Sequence, residues 1–341
     1  MKRMTLGRTG LEVTRFGFGG IPIQRVSEKQ AVETVLHAVE RGIDFIDTSR
    51  GYTTSERRIG MALQQTDKRV IIASKSRSRT SDGIRTDLET SLKELQRGHI
   101  EIYQCHFVKN INEYEQVISP GGALEGLIKA KEEGLIGHFG ISCHSLDLLD
   151  RVIDDGLFHT IMVCFSLLEP EARERIIPKA IDKKIGVIAM KPFSGGIIDN
   201  ARLALKYVFS HQDILVIAGV EHKGLFDENW AIFQGSYELD DEEKEGIEEI
   251  RKRFERNFCR RCDYCLPCTE GISIQTILGI RSIIKRTGNA MLRRGRRQDV
   301  IEKARHCSEC GECMTRCPYE LPIPELIQKN LLWVDEQLKS L

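Results

Sequence analysis

Two runs of cysteine near the C-terminal end have the spacing for electron-transfer chemistry. They hold eight of the chain's eleven cysteines. The first is Cys259, Cys262, Cys265 and Cys268 (CRRCDYCLPC); the second is Cys307, Cys310, Cys313 and Cys317 (CSECGECMTRCP), with Pro318 directly after it. A Cys-x2-Cys-x2-Cys-x3-Cys-Pro run is a spacing by which thiolates hold a [4Fe–4S] cluster. Two runs imply two clusters, and clusters move electrons one at a time. Four disulfides would need an oxidising compartment, and cysteines so close in sequence are poorly placed to bridge one another. Zinc is the stronger competitor, because Cys-x2-Cys pairs suit a tetrahedral ion. Zinc sites, however, usually present two close cysteines and then a gap. The first run departs from the pattern at its end, with two residues before the fourth cysteine and Thr269 where a proline would stand.

A second reactive set emerges from the elements that precede the cysteines. From residue 15 to about 235, short apolar runs alternate with amphipathic ones. The apolar runs are 15–20 (RFGFGG), 43–47 (IDFID), 70–75 (VIIASK), 100–106 (IEIYQCH), 136–142, 160–166, 185–191 and 214–219. Between them, EKQAVETVLHAVERG and TDLETSLKELQRG keep an apolar stripe at helical spacing and end at glycine. Eight such alternations predict an α/β fold, a (β/α)8 TIM barrel, over residues 1–235, with a hairpin before residue 15. Residues 236–256 read as a helical linker. Residues 257–341 read as a small, mainly helical iron–sulfur domain.

Catalytic side chains of such barrels come from the C-terminal ends of several strands. The second predicted strand ends at Asp47, followed by Thr48 and Tyr52; the third ends at Lys75 and the fourth at His106. A tyrosine is a weak acid, with an ordinary pKa of about 10, but a nearby cation favours its phenolate. Lys75 can supply that cation, with Asp47 as its ionic partner. His106 can hydrogen-bond a carbonyl oxygen and orient it. Singly, each residue has a structural explanation: a buried ion pair, a satisfied histidine, an ordinary tyrosine. Four compatible groups at the mouths of three successive strands are harder to explain that way.

Bulk composition narrows the classes. Lysine plus arginine equals aspartate plus glutamate, at 50 each, so no global field favours nucleic acid or an anionic membrane. No apolar stretch approaches the roughly 18 residues of a membrane span, and the N-terminal residues lack a signal-like apolar core. A cytoplasmic location is expected. Cys105, Cys143 and Cys164 fall in apolar runs and read as core residues. Arg281, Lys285, Arg286, Arg293, Arg294, Arg296 and Arg297 crowd the connector between the cysteine runs. They form either a solvated face or a docking patch for an acidic electron carrier.

The opening MTLGRTGLEVTRFGFGG, the segment FIDTSRGYTTSE and the set Asp47, Tyr52, Lys75 and His106 resemble the aldo-keto reductase family over nearly all of residues 1–235. With the cysteine tail, the chain is similar to the iron–sulfur branch of that family. The resemblance implies reduction of a small carbonyl substrate by hydride from NADP(H) or NAD(H), with Tyr52 as acid. It also implies nucleotide contacts from Ser142, from Lys191, Ser194 and Gly195 in KPFSGG, and from Gly219, Lys223, Glu228 and Asn229. The match is looser around the nicotinamide, where Cys143, Met162 and Met190 replace the family's usual residues. Analogy with paired ferredoxins implies one cluster on Cys259, Cys262, Cys265 and Cys317, and the other on Cys268, Cys307, Cys310 and Cys313. Ligation within each run is the alternative.

Hydride chemistry and one-electron clusters normally meet through an intermediary such as flavin. Three readings stay open on sequence: a nicotinamide-dependent reductase carrying two clusters, a flavin- or ferredoxin-linked reductase, and an electron-transfer or redox-sensing protein on a vestigial barrel. A ferredoxin-type protein is the candidate redox partner.

Overall fold

The computed structural model describes residues 2–293 and 295–339. Two strands, β1 (Arg3–Thr5) and β2 (Glu12–Thr14), pair antiparallel as the expected hairpin. Eight parallel strands follow: β3 (Phe16–Gly19), β4 (Phe45–Asp47), β5 (Ile71–Ser76), β6 (Ile100–Val108), β7 (Ile136–Cys143), β8 (Thr160–Cys164), β9 (Gly186–Met190) and β10 (Leu215–Gly219). They close in sequence order, with β10 pairing back onto β3. The fold is the expected (β/α)8 barrel.

The strands are short and buried on both faces, which is why they read as continuous apolar runs rather than alternating ones. The helices between them start and stop on local signals. Ser27 caps the helix Glu28–Arg41, accepting from the Gln30 N–H at 3.2 Å, and left-handed Gly42 ends it. Thr80 does the same for the helix Ser81–Leu95. Such caps satisfy backbone groups that the first helical turn leaves open.

Inside the barrel, Phe45, Ile71, Ala73, Ile102, Met162, Ile188, Leu215 and Ile217 form one apolar cluster, closed by Leu6 and Val13 from the hairpin. The hairpin therefore plugs the N-terminal end and leaves the C-terminal mouth for chemistry. The plug depends on close backbone approach. Gly7 has φ of +52°, and a Cβ there would lie 2.2 Å from the Gly186 nitrogen.

The chain divides into two compact units, Met1–Ser194 with Ile198–Asp241, and Gly195–Ile197 with Glu242–Leu341. The helix Asp241–Phe254 lies almost wholly in the second unit. That unit is mainly helical. Ile274, Ile277, Ile280, Ile301, Ile323, Ile327 and Val334 centre its core, and six of the eight paired-run cysteines pack partly buried against it or inside it. Its long terminal helix Ile323–Lys339 engages the basic connector: Arg281 donates to Asn330 Oδ1 at 2.9 Å and to the Lys329 carbonyl, and Arg293 donates to the Leu338 carbonyl. Part of the connector's charge is therefore used within the unit. Arg294 and the Arg286 side chain lie outside the described residues. Among the described residues, no helix is long and apolar enough to cross a membrane.

Gly7→Ala tests the plug. We expect the urea midpoint of the barrel's unfolding to fall by an amount worth more than ~1 kcal/mol, because alanine meets both a disfavoured φ and the β9 backbone. An unchanged midpoint contradicts the close packing.

Candidate functional site

Strand register stacks the reactive groups at the barrel mouth. Asp47 pairs with Ala73 and Lys75 with Gln104, so Lys75 stands one pleat above Asp47 on the same inward face, and His106 one pleat above Gln104. The lysine bends back. Its Nζ donates to Asp47 Oδ1 at 2.6 Å, to Oδ2 at 2.8 Å and to the Thr48 carbonyl at 2.7 Å. Both side chains are almost fully buried, at 1% and 4% exposure.

The loop after β4 brings Tyr52 over this pair. The Arg50 N–H donates to the Lys75 carbonyl at 3.0 Å, and the Arg50 side chain pairs with Glu56, which is buried and accepts from Ser74 Oγ at 2.6 Å. Gly20 leaves room for the loop's far end, where a Cβ would strike Ser55 Oγ at 2.6 Å. So anchored, the loop sets the Lys75 ammonium 4.9 Å from the Tyr52 ring centre. The Tyr52 and His106 rings meet edge to face at 5.7 Å.

The electrostatics follow from burial. Burial works against the Lys75 charge, but Asp47 and Tyr52 outweigh it and hold the ammonium above the usual lysine range. Burial pushes the Asp47 carboxyl up, and Lys75 pulls it back. His106 is held well below its ordinary value, first by burial and then by Lys75, Arg77, Arg79 and Lys191. Its ring is neutral at physiological pH.

Ser49, which the sequence gave no reason to single out, decides how that neutral ring is used. Its Oγ lies 3.0 Å from His106 Nδ1 and 3.0 Å from the Lys75 carbonyl, and it accepts from the Gly51 N–H. The hydroxyl has one proton and two acceptors. If it donates to Nδ1, the ring proton sits on Nε2 and can reach a substrate oxygen; if it donates to the carbonyl, Nε2 becomes an acceptor.

The expected nucleotide contacts line the ends of later strands. Ser142, next to last in β7, is buried, with Oγ accepting from the Phe107 N–H at 2.7 Å. Lys191, just past β9, turns its Nζ to His144 Nε2 at 2.8 Å and Cys164 Sγ at 3.3 Å. Ser194 hydrogen-bonds Ser166 at 2.8 Å, and Ser194, Gly195 and Gly196 are all left-handed. Gly219 ends β10. On the following helix, Lys223–Gln234, Lys223 pairs with Glu33 at 3.5 Å, Glu228 is exposed and Asn229 is buried. His222 caps that helix by accepting from the Leu225 N–H.

In the second unit the cysteines sort across the two runs. One cavity is lined by Cys259, Cys262, Cys265 and Cys317, another by Cys268, Cys307, Cys310 and Cys313. Ile274 lines both. Each run curls by the same device. The residues flanking its second cysteine are left-handed: Arg261 and Asp263 in the first run, Glu309 and Gly311 in the second. Arg316 donates to the Pro267 carbonyl at 3.0 Å and ties the runs together.

The donors suit a cluster. All eight side chains are soft sulfur donors, four to a cavity, the donor set that iron–sulfur clusters take. Burial pushes the Cys259 and Cys262 thiols up to about 11 and Cys265 to about 12, with repulsion from neighbouring cysteines adding to it. Four thiolates at such a site need a bound cationic centre to stay ionised.

Comparison with known proteins agrees with this geometry. The model for the aldo/keto reductase family matches residues 15–203, and the one for a 4Fe-4S dicluster domain matches residues 258–322. The chain belongs to the aldo-keto reductase family, as an oxidoreductase with a C-terminal 4Fe-4S domain. It is 28% identical over 233 residues to the aldo-keto reductase YhdN of Bacillus subtilis (strain 168), covering 63% of this chain and 68% of the relative. It is 32% identical over 213 residues to L-galactose dehydrogenase of Arabidopsis thaliana, covering 57% and 66%. The holo form of an aldo-keto reductase from Bacillus halodurans matches with a TM-score of 0.63 at 21% identity, over 73% of this chain and 96% of that one. An aldo-keto reductase from Klebsiella pneumoniae in complex with NADPH matches with a TM-score of 0.63 at 19% identity, over 74% and 95%. At such identities the structural matches speak for the fold.

His106 offers a direct check. Because its folded pKa lies below the unfolded value of about 6.5, the neutral ring adds stability at higher pH, which is lost as pH falls below that value. Imidazole nitrogen shifts should report a neutral His106 from pH 9 to 5.5. A half-protonated ring near pH 6.5 contradicts the assigned surroundings.

Proposed function

We propose that the chain reduces an aldehyde or ketone with hydride from NADPH or NADH, with Tyr52 as the acid. The nicotinamide supplies the hydride to the carbonyl carbon. Tyr52 gives its proton to the carbonyl oxygen, so the product is the alcohol. The Lys75 ammonium favours the phenolate left behind, and Asp47 keeps that ammonium charged and aimed. His106, neutral and donating from Nε2, orients the oxygen, with the Ser49 hydroxyl turned to Nδ1. The observation that carries this reading is the Tyr52 ring held 4.9 Å from an ammonium that is itself locked on a buried carboxylate, with His106 edge to face beside it. The NADPH complex of the Klebsiella relative supports the choice of cofactor, with Ser142, Lys191, Ser194, Gly195, Gly219, Lys223, Glu228 and Asn229 as the proposed contacts.

We propose further that Cys259, Cys262, Cys265 and Cys317 hold one [4Fe–4S] cluster and Cys268, Cys307, Cys310 and Cys313 a second, serving one-electron exchange with a ferredoxin-type partner. The two four-cysteine cavities support that division.

Tyr52→Phe should lower kcat for carbonyl reduction at least ~100-fold while the brown cluster absorbance persists; retained turnover removes Tyr52 as the acid. Ser49→Ala should cost about tenfold in kcat/KM, the worth of one oriented hydrogen bond, and shift the His106 nitrogen resonances. Cys310→Ala should reduce iron from about eight to about four atoms per chain. If NADPH-dependent reduction survives that loss in a folded protein, the clusters lie off the hydride path.

A further inference from the structure

The substrate side of the barrel mouth carries a group of side chains that the reaction above does not use. Strand β6 shifts register between Cys105 and Val108, a bulge of the kind that re-aims side chains beside active sites. Phe107 lies in it with φ of +52°, a conformation that costs a non-glycine residue about 1–2 kcal/mol. Its N–H is fixed by Ser142 Oγ. Arg79 fixes its carbonyl, donating at 2.9 Å. The bulge thus holds a half-buried aromatic ring next in sequence to His106.

Cations surround that ring. The Arg77 guanidinium lies 6.0 Å from its centre and the Lys109 ammonium 5.9 Å. On the β7 side the His144 ring packs at 4.4 Å and accepts from Lys191 Nζ. These residues come from the ends of β5, β6, β7 and β9, so they share one face of the mouth. One carboxylate, Glu113, answers Arg79 at 2.9 Å and Lys109 at 3.5 Å. Arg77 is exposed and makes no ion pair among the described residues.

We propose that Arg77, Phe107, Lys109 and His144 form a substrate-recognition face that takes a carbonyl compound bearing a carboxylate. The carboxylate meets the Arg77 fork, whose geometry matches it two-pronged, and a flat substrate body lies against Phe107. This leaves the carbonyl oxygen to Tyr52 and His106. The inference rests on the carbonyl-reduction reading for its substrate class, but the anion site can be measured apart from turnover.

The probes are 4-formylbenzoate and its uncharged methyl ester. For the wild-type protein with NADPH, kcat/KM for the acid should exceed that for the ester by about tenfold or more, mainly through KM. In Arg77→Met that ratio should fall about tenfold, the worth of a charge-assisted hydrogen bond. In Lys93→Met, a control at an exposed cation on the helix Ser81–Leu95, the ratio should hold. Calorimetry should show 4-formylbenzoate binding about tenfold more weakly to Arg77→Met than to wild type. Equal handling of acid and ester, or a ratio and affinity indifferent to Arg77, overturns the proposal. Arg77-dependent binding of the acid without turnover upholds the site and refutes the reduction reading instead.

Discussion

The site depends on one buried ion pair. Asp47 and Lys75 are both withdrawn from water, a placement that is unfavourable unless the geometry is good and the remaining hydrogen bonds are satisfied. Here the ammonium uses its three protons on two carboxylate oxygens and the Thr48 carbonyl, and the Tyr52 ring lies over it. Removing one partner from such a pair typically costs about 3–5 kcal/mol, because the other charge is left bare. The barrel register sets the two residues one pleat apart, and the loop after β4 is fastened to the Lys75 carbonyl. The hairpin plug, the strand order and the Arg50–Glu56 pair all serve the geometry of that contact.

Much of this was legible in the sequence. Strands buried on two faces leave continuous apolar runs, so all eight barrel strands could be marked within a few residues. The reactive residues sit at the ends of those runs, where a barrel points side chains at its mouth, and Asp47, Tyr52, Lys75 and His106 do converge. What could not be read depends on partners distant in sequence. Ser142 accepts from the Phe107 backbone, and Lys223 meets Glu33. Neither contact leaves a local pattern. Ser49 becomes notable only once the fold brings His106 within 3.0 Å. The bulge at Phe107 follows a strand sequence with no glycine or proline to announce it.

The second unit shows the same division. Cysteine spacing pointed to the 4Fe-4S domain that the family comparison finds, and two cavities group the cysteines across the two runs. The left-handed residues on each side of Cys262 and Cys310 were not foreseen, since Arg261, Asp263 and Glu309 carry no turn signal. They give both runs one curl. The basic connector turned partly inward: Arg281 and Arg293 bond the terminal helix.

The central claim is that Asp47 and Lys75 act through Tyr52, not beside it. A double-mutant cycle on carbonyl reduction measures this directly, using Asp47→Asn, Tyr52→Phe and the pair together. If the ion pair works by tuning the phenol, the double variant is no slower than Tyr52→Phe alone. Losses that multiply, so that Asp47→Asn slows a protein already lacking the phenol as much as it slows the wild type, contradict it.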